Sequence, residues 1–242
     1  MAKGQPDFGQ YAPTTTIAGL SDLGELAARL GSVVIFDRRG NVMAIDYFDS
    51  GIEQWYRTGD VGYSVDWNGD YAKSGGFSCK LTTGPVAGNT VTLLRYISVP
   101  VLASLGIEVS FSYQKNWQYL DFILVVADGN YQYEAQIRYD WVNGKLQYMD
   151  SEGNYQDIPG GSYSCGGVPY VFDTLKVVAD FTTAKYKRLI VNNREFDLSA
   201  ISFAKDPAVR NPIMMASIVL TTSANEAAIG YIDDVIITQN EP

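Results

Sequence analysis

The chain of 242 residues contains no histidine. Without an imidazole there is no Ser-His-Asp or Cys-His relay, no His-ligated zinc and no histidine pH switch. Cysteine is nearly as scarce. Cys79 sits in a strand-like stretch and Cys165 in a Gly-rich one; two thiols are too few for a disulfide framework, so both are expected to be reduced. Long apolar runs are missing too: none approaches the ~18 residues of a membrane helix. The opening Met1-Ala2-Lys3-Gly4-Gln5-Pro6-Asp7 lacks the apolar core of a secretion signal, which predicts synthesis in the cytoplasm and no membrane partner. Positive charge is the minority sign, with 18 Lys and Arg against 27 Asp and Glu. A net charge of -9 repels phosphate and argues against nucleic acid or anionic lipid as the main partner.

What is present is apolar and aromatic. Hydrophobic residues make up 46% and aromatics 13%, enough to form a sizeable core without metal staples. Residues 1–19 carry Pro6, Pro13 and Thr14-Thr15-Thr16, which favour an extended arm. A short helix is predicted next: Ser21 can cap it, Asp22 suits its positive start, Leu20, Leu23, Leu26 or Ala27, and Leu30 recur at helical spacing, and Gly31 ends it. A helix of about ten residues does not hold alone, so its apolar stripe must dock, on the sandwich or on a neighbouring subunit. Val33–Phe36 and Val42–Ile45 then flank the polar turn Asp37-Arg38-Arg39-Gly40-Asn41 and read as a β-hairpin. Arg38 and Arg39, adjacent charges on that turn, could meet an acidic partner subunit. Residues 1–46 are therefore expected to serve docking or oligomerisation.

From 47 to 242 the pattern is that of short strands separated by turn signals, among them Asp128-Gly129, Asn143-Gly144, Glu152-Gly153 and Asn192-Asn193. Tyr131, Tyr133, Ala135, Ile137 and Tyr139 alternate with Gln132, Glu134, Gln136 and Arg138, as a half-buried antiparallel strand requires. Val109, Phe111 and Tyr113 alternate in the same way, Leu175–Phe181 reads as a more buried neighbour, and Ile213–Thr221 and Ile229–Thr238 supply closing strands. The fold class is all-β: one two-sheet antiparallel jelly-roll sandwich preceded by an arm, a short helix and a hairpin.

Three stretches carry a resemblance. Tyr47-Phe48-Asp49-Ser50-Gly51-Ile52-Glu53-Gln54-Trp55, Ala72–Leu81 and Tyr231-Ile232-Asp233-Asp234-Val235-Ile236-Ile237 are similar to the opening, second-strand and closing signatures of jelly-roll carbohydrate-binding modules. Asp173–Phe181, with Lys185-Tyr186 and Leu189-Ile190-Val191-Asn192, resembles the equivalent segment of concanavalin A-like sandwiches. Leu20 to Gly40, placed before such a sandwich, resembles a group of tailed-bacteriophage and prophage virion proteins. This last resemblance implies a non-enzymatic virion protein, a capsid decoration that docks on a major capsid or other virion protein and displays its sandwich outward. It implies a homo-oligomer, in the simplest case a trimer. The alternative it leaves open is a lectin-like module that binds a surface glycan, and behind that a glycoside hydrolase.

Candidate sites follow from these resemblances. Retaining glucanases of the concanavalin-like class place two carboxyls ~5 Å apart in a Glu-Ile-Asp-x-x-Glu pattern. The nearest stretch here, Tyr119-Leu120-Asp121-Phe122-Ile123-Leu124, has the Asp and neither Glu, so no catalytic site is expected. Asp46, Asp49, Asp233 and Asp234 resemble carboxylates that hold a structural Ca²⁺ in related modules, oxygen donors being what that ion prefers. A sugar site needs exposed aromatics beside polar groups. Trp55, Trp67, Trp117, Trp141, Tyr63, Tyr71 and Tyr155 qualify by type, and Trp67 with Asp70 and Tyr71 forms the most loop-like cluster. Docking is assigned to Leu20, Leu23, Leu26, Leu30, Arg38 and Arg39.

Overall fold

A computed structural model describes residues 39–98 and 102–242 of the chain. Among these residues there are sixteen strands and no helix. In chain order they are β1 (Asn41–Asp46), β2 (Tyr56–Gly59), β3 (Ser64–Asn68), β4 (Ser78–Thr82), β5 (Thr90–Ile97), β6 (Ser104–Lys115), β7 (Trp117–Ala127) and β8 (Tyr131–Asp140). There follow β9 (Lys145–Met149), β10 (Tyr155–Ser162), β11 (Asp173–Asp180), β12 (Lys185–Val191), β13 (Arg194–Asp197), β14 (Ala204–Pro207), β15 (Ile213–Thr222) and β16 (Ile229–Gln239).

The strands make two antiparallel sheets of eight, stacked as a jelly-roll sandwich. The first sheet runs β13-β12-β11-β6-β16-β4-β3 with β1 alongside β16, and the second runs β10-β9-β8-β7-β15-β5-β2 with β14 alongside β8. Period-2 alternation decides which side chains enter the space between them. Leu120, Phe122, Leu124 and Val126 of β7 and Tyr133, Ala135, Ile137 and Tyr139 of β8 point inward from the second sheet. They meet Leu105, Ile107, Val109 and Phe111 of β6 and Leu175, Val177 and Ala179 of β11, all buried. Each buried Leu, Ile, Val or Phe among them contributes roughly 1.5–3 kcal/mol by leaving water, which makes this core the main source of stability.

The turns follow the signals in the sequence. Gly129, Gly144 and Gly153 have positive φ at the tips where Asp-Gly, Asn-Gly and Glu-Gly occur, and Asn192 takes φ of 52° between β12 and β13. Cys79 and Cys165 are both free and buried. Burial pushes the Cys165 thiol up to about 12, so neither cysteine is a ready nucleophile.

The strand expected over Val42–Ile45 exists, and it pairs with the body: Asn41–Asp46 runs antiparallel to β16, with Ile45 opposite Ile236. Residues 41–46, expected to belong to the docking segment, are thus a strand of the first sheet. The other half of the expected hairpin, the arm and the helix, with Leu20, Leu23, Leu26, Leu30 and Arg38, lie outside the described residues. Arg39 is described, and its guanidinium pairs with Glu195 of β13 at 3.0 Å, a surface ion pair within the chain.

A tyrosine hydroxyl ties the two sheets together across the core. The Tyr186 hydroxyl, carried by β12, accepts the Gln136 backbone N–H at 2.9 Å and donates to the Met149 carbonyl at 2.9 Å, tying the first sheet to β8 and β9 of the second. Tyr186→Phe keeps the ring and leaves a buried N–H without its acceptor. The variant is expected to lose about 1–3 kcal/mol of unfolding free energy in urea titrations with an unchanged m-value.

Candidate functional site

The outer face of the second sheet, away from the core, is not an ordinary solvated surface. The cross-strand register sets a row across seven strands: Asp157 of β10, Gln147 of β9, Arg138 of β8, Asp121 of β7, Val219 of β15, Thr92 of β5 and Thr58 of β2. A second row, Gln136, Ile123, Ser217, Leu94 and Tyr56, lies beside it. Asp121, Gln136, Ser217 and Leu94 are buried although they face away from the core. Tyr56 and Tyr96 stand exposed at the β2–β5 end, at 58% and 56%.

Arg138 is the centre of the face. Its Nε and NH2 donate to the two carboxylate oxygens of Asp121 at 2.6 and 2.8 Å, a bidentate pair that fixes the guanidinium plane. Two rings close on that plane, Tyr119 at 4.0 Å and Tyr155 at 3.6 Å from guanidinium carbon to ring centroid. Gln136 donates its side-chain amide to the Tyr155 hydroxyl. Along the row Gln147 donates to Asp157 at 2.8 Å, and Lys145 pairs with the same carboxylate. Burial lowers the Arg138 pKa by itself, but the hydrogen bonds and charge of Asp121 outweigh it and hold the guanidinium charged. Burial likewise pushes the Tyr155 hydroxyl up, so it stays protonated and serves as a hydrogen-bonding group. Glu134, further along β8, is raised by burial and then by the charge of Asp206.

The alternation of β8 announced this polar face, but its composition was read as a solvent side. Asp121 stood out only as an incomplete glucanase pattern, and Tyr155 only as one aromatic in a loop-like stretch. The pairing that brings them to Arg138 is a register between strands.

The cluster expected at Trp67, Asp70 and Tyr71 lies at and just beyond the end of β3, on the first sheet. Trp67 is not a loop residue: it is the penultimate residue of β3, the edge strand of the first sheet. Its indole stacks on Phe77 at 4.0 Å, and its N–H is taken by the Phe48 carbonyl at 2.6 Å, while 46% of the residue remains exposed. Asp70 receives a bond from Asn68, and Tyr71 packs edge-on against Tyr231. Trp55 and Trp117 are buried in the core and Trp141 stacks on Tyr113 at 3.8 Å.

The four expected metal carboxylates separate into two groups. Asp46 turns to the Phe48 N–H and the Trp55 indole N–H, both at 2.9 Å, with Arg95 at 3.8 Å. Asp233 and Asp234 lie together on a bulge of β16, where its partner changes from β4 to β1 and Asp234 takes φ of 45°. Asp233 accepts the backbone N–H groups of Lys73, Ser74 and Asp234 at 2.7, 3.1 and 2.8 Å. Asp234 accepts the Ser74 hydroxyl at 2.5 Å, and Asp49 accepts the Gly76 N–H at 2.9 Å. Among the described residues no group of three or more His, Cys, Asp or Glu side chains is placed to hold a metal ion.

No protein-family model matches the chain. No curated protein matches it either. Solved structures do share its fold. One is a protein described as cellulose-induced protein Cip1, at 15% identity and TM-score 0.55 over 81% of this chain and 96% of that one. Another is an endo-β-1,4-glucuronan lyase from Trichoderma reesei, at 10% identity and TM-score 0.57 over 82% and 96%. A third is the carbohydrate recognition domain of Emp47p, at 13% identity and TM-score 0.50 over 80% and 93%. These likenesses establish the two-sheet jelly-roll architecture.

Asp233 gives a pH prediction. Burial, then the charge of Asp234, raise its carboxyl from 3.8 to about 7 against the opposing backbone N–H bonds. A folded value above the unfolded one means that its contribution to stability is full below about pH 4 and is lost as pH rises through about 7. The chain is expected to melt at a higher temperature near pH 5 than near pH 8, and Asp233→Asn to flatten that difference. An unchanged slope in the variant would assign the dependence to another group.

Proposed function

We propose that the chain is a non-catalytic carbohydrate-binding, lectin-like module whose ligand lies on the outer face of the second sheet, around Arg138. The observation that carries this reading is the arginine itself. A guanidinium locked by a bidentate carboxylate and sandwiched between two tyrosines, on a sheet face pointing away from the core, is an expensive arrangement for stability alone. It is well suited to presenting tyrosine ring edges, the Gln147 amide and the Asp157 carboxylate to sugar hydroxyls in fixed positions. The names of the structures that share the fold support the reading, since one is a carbohydrate recognition domain and another a lyase of a polysaccharide.

The charge of the face selects the ligand class. Arg138 and Lys145 are already paired with Asp121 and Asp157, while the net charge of -9 adds negative potential. A neutral glycan meets no repulsion there, whereas a polyanionic one does. Turnover is not part of the proposal: both Asp121 oxygens are held by Arg138, which leaves that carboxylate no free oxygen to act as a nucleophile.

A second reading concerns where the module is displayed. The resemblance of Leu20–Gly40 to virion proteins favours attachment to a phage particle through the segment that precedes β1, with the sandwich outward. Such a decoration can also adhere to surface glycans, so the two readings are compatible.

Each has its own test. The full chain on a glycan array is expected to retain a neutral oligosaccharide. In titrations with that oligosaccharide, Tyr56→Ala and Gln147→Ala should each weaken binding by about tenfold, and Trp67→Ala should leave it unchanged. Loss of binding in Trp67→Ala alone would move the site to the β3 edge, and an array with no retained glycan would remove the proposal. For display, deleting residues 1–31 is expected to abolish particle attachment while the body stays folded; intact attachment would count against the virion reading.

A further inference from the structure

We propose that the Lys73 ammonium takes the place that the resemblance to carbohydrate-binding modules gives to a structural calcium ion, so that this sandwich is latched by a protein-borne cation and needs no metal. A calcium cage gathers six to eight oxygens. Here the segment over the β16 bulge turns backbone N–H groups towards the carboxylates: Lys73 and Ser74 donate to Asp233, and Gly76 donates to Asp49. Those N–H groups use the oxygens that a metal would need, and their dipoles oppose a cation. Gly75, at φ of 60°, is packed so closely on the Asp49 carboxylate that a Cβ there would collide with it, which leaves no room for an ion between them.

One buried oxygen is left over. Asp234 Oδ2 has no hydrogen-bond partner, and the positive charge nearest to it is the Lys73 ammonium at 3.6 Å. Lys73 Nζ also donates to Ser110 Oγ and Thr174 Oγ1, both at 2.8 Å, so two of its three protons have acceptors while its charge faces Asp234 as an ion pair. These acceptors lie on neighbouring strands, because Ser110 of β6 stands opposite Asp233 of β16 on one side and Thr174 of β11 on the other. The ammonium therefore joins the 73–76 segment to three strands of the first sheet, and supplies the positive charge that balances the bulge. Asp46, the remaining carboxylate of the expected set, is committed to Trp55 and Arg95.

The test uses the purified full chain. Elemental analysis should find no calcium at one ion per chain, and neither millimolar chelator nor millimolar calcium should move the melting temperature. Lys73→Met, which keeps the aliphatic stem and removes the charge, should lower it by roughly 5 °C or more. One calcium per chain, a clear rise of melting temperature on adding calcium, or a Lys73→Met protein as stable as the parent would overturn the proposal. If Lys73→Met fails to fold, Lys73→Arg, which keeps the charge, should fold and remain insensitive to calcium; a calcium-dependent Lys73→Arg would again overturn it.

Discussion

An arginine cannot be sunk into a sheet face without a partner, and much of the outer face of the second sheet is arranged around that constraint. Leaving the Arg138 guanidinium buried and unpaired would cost several kcal/mol, so Asp121 must sit directly across from it. That requirement ties the chemistry to the register of β7 on β8. A slip of one residue would bury polar side chains in the core and expose Leu120 and Phe122. Tyr119 comes to Arg138 because it is two residues from Asp121 on the same strand face, and Tyr155 because β10 returns over β9. The site is thus a product of the same alternation that fills the core.

The two sheets use charge differently. On the second, the ion pair fixes the Arg138 guanidinium between Tyr119 and Tyr155 on the outer face. On the first, charge serves closure. Lys176 meets Glu241 at 2.7 Å, Arg188 meets the same carboxylate, and Thr238 donates to it at 2.6 Å, so that the last described residues are held across the outside of β11, β12 and β16. Lys73 does the equivalent for the segment before β4. In both places the cation is a side chain with its acceptors already arranged around it.

The fold was legible because period-2 alternation is a local signal. The β8 pattern, the β12–β13 turn at Asn192 and the closing strands over Ile213–Thr222 and Ile229–Gln239 fall where the residues put them. The site was legible only in pieces. Arg138, Gln136 and Glu134 were visible as a polar strand face, but what lies opposite each is set by strand pairing. Trp67 was misread because Asn68, Gly69 and Asp70 are strong turn formers; pairing with β4 nevertheless extends β3 through Asn68. Asp46 and Asp49 are three residues apart and looked like one ligand set, yet the turn at Phe48, with φ of 58°, sends them to different neighbours.

The central claim is that the Asp121–Arg138 pair exists to hold a ligand-binding face. The most direct measurement replaces both partners together, as Asp121→Leu with Arg138→Met, and compares stability and glycan affinity with the parent chain. Because a buried ion pair and an apolar pair of similar volume are close in stability, the double variant is predicted to unfold near the parent's midpoint while its affinity for the bound oligosaccharide is lost. A double variant that binds as tightly as the parent would contradict the account and reduce the pair to a packing element.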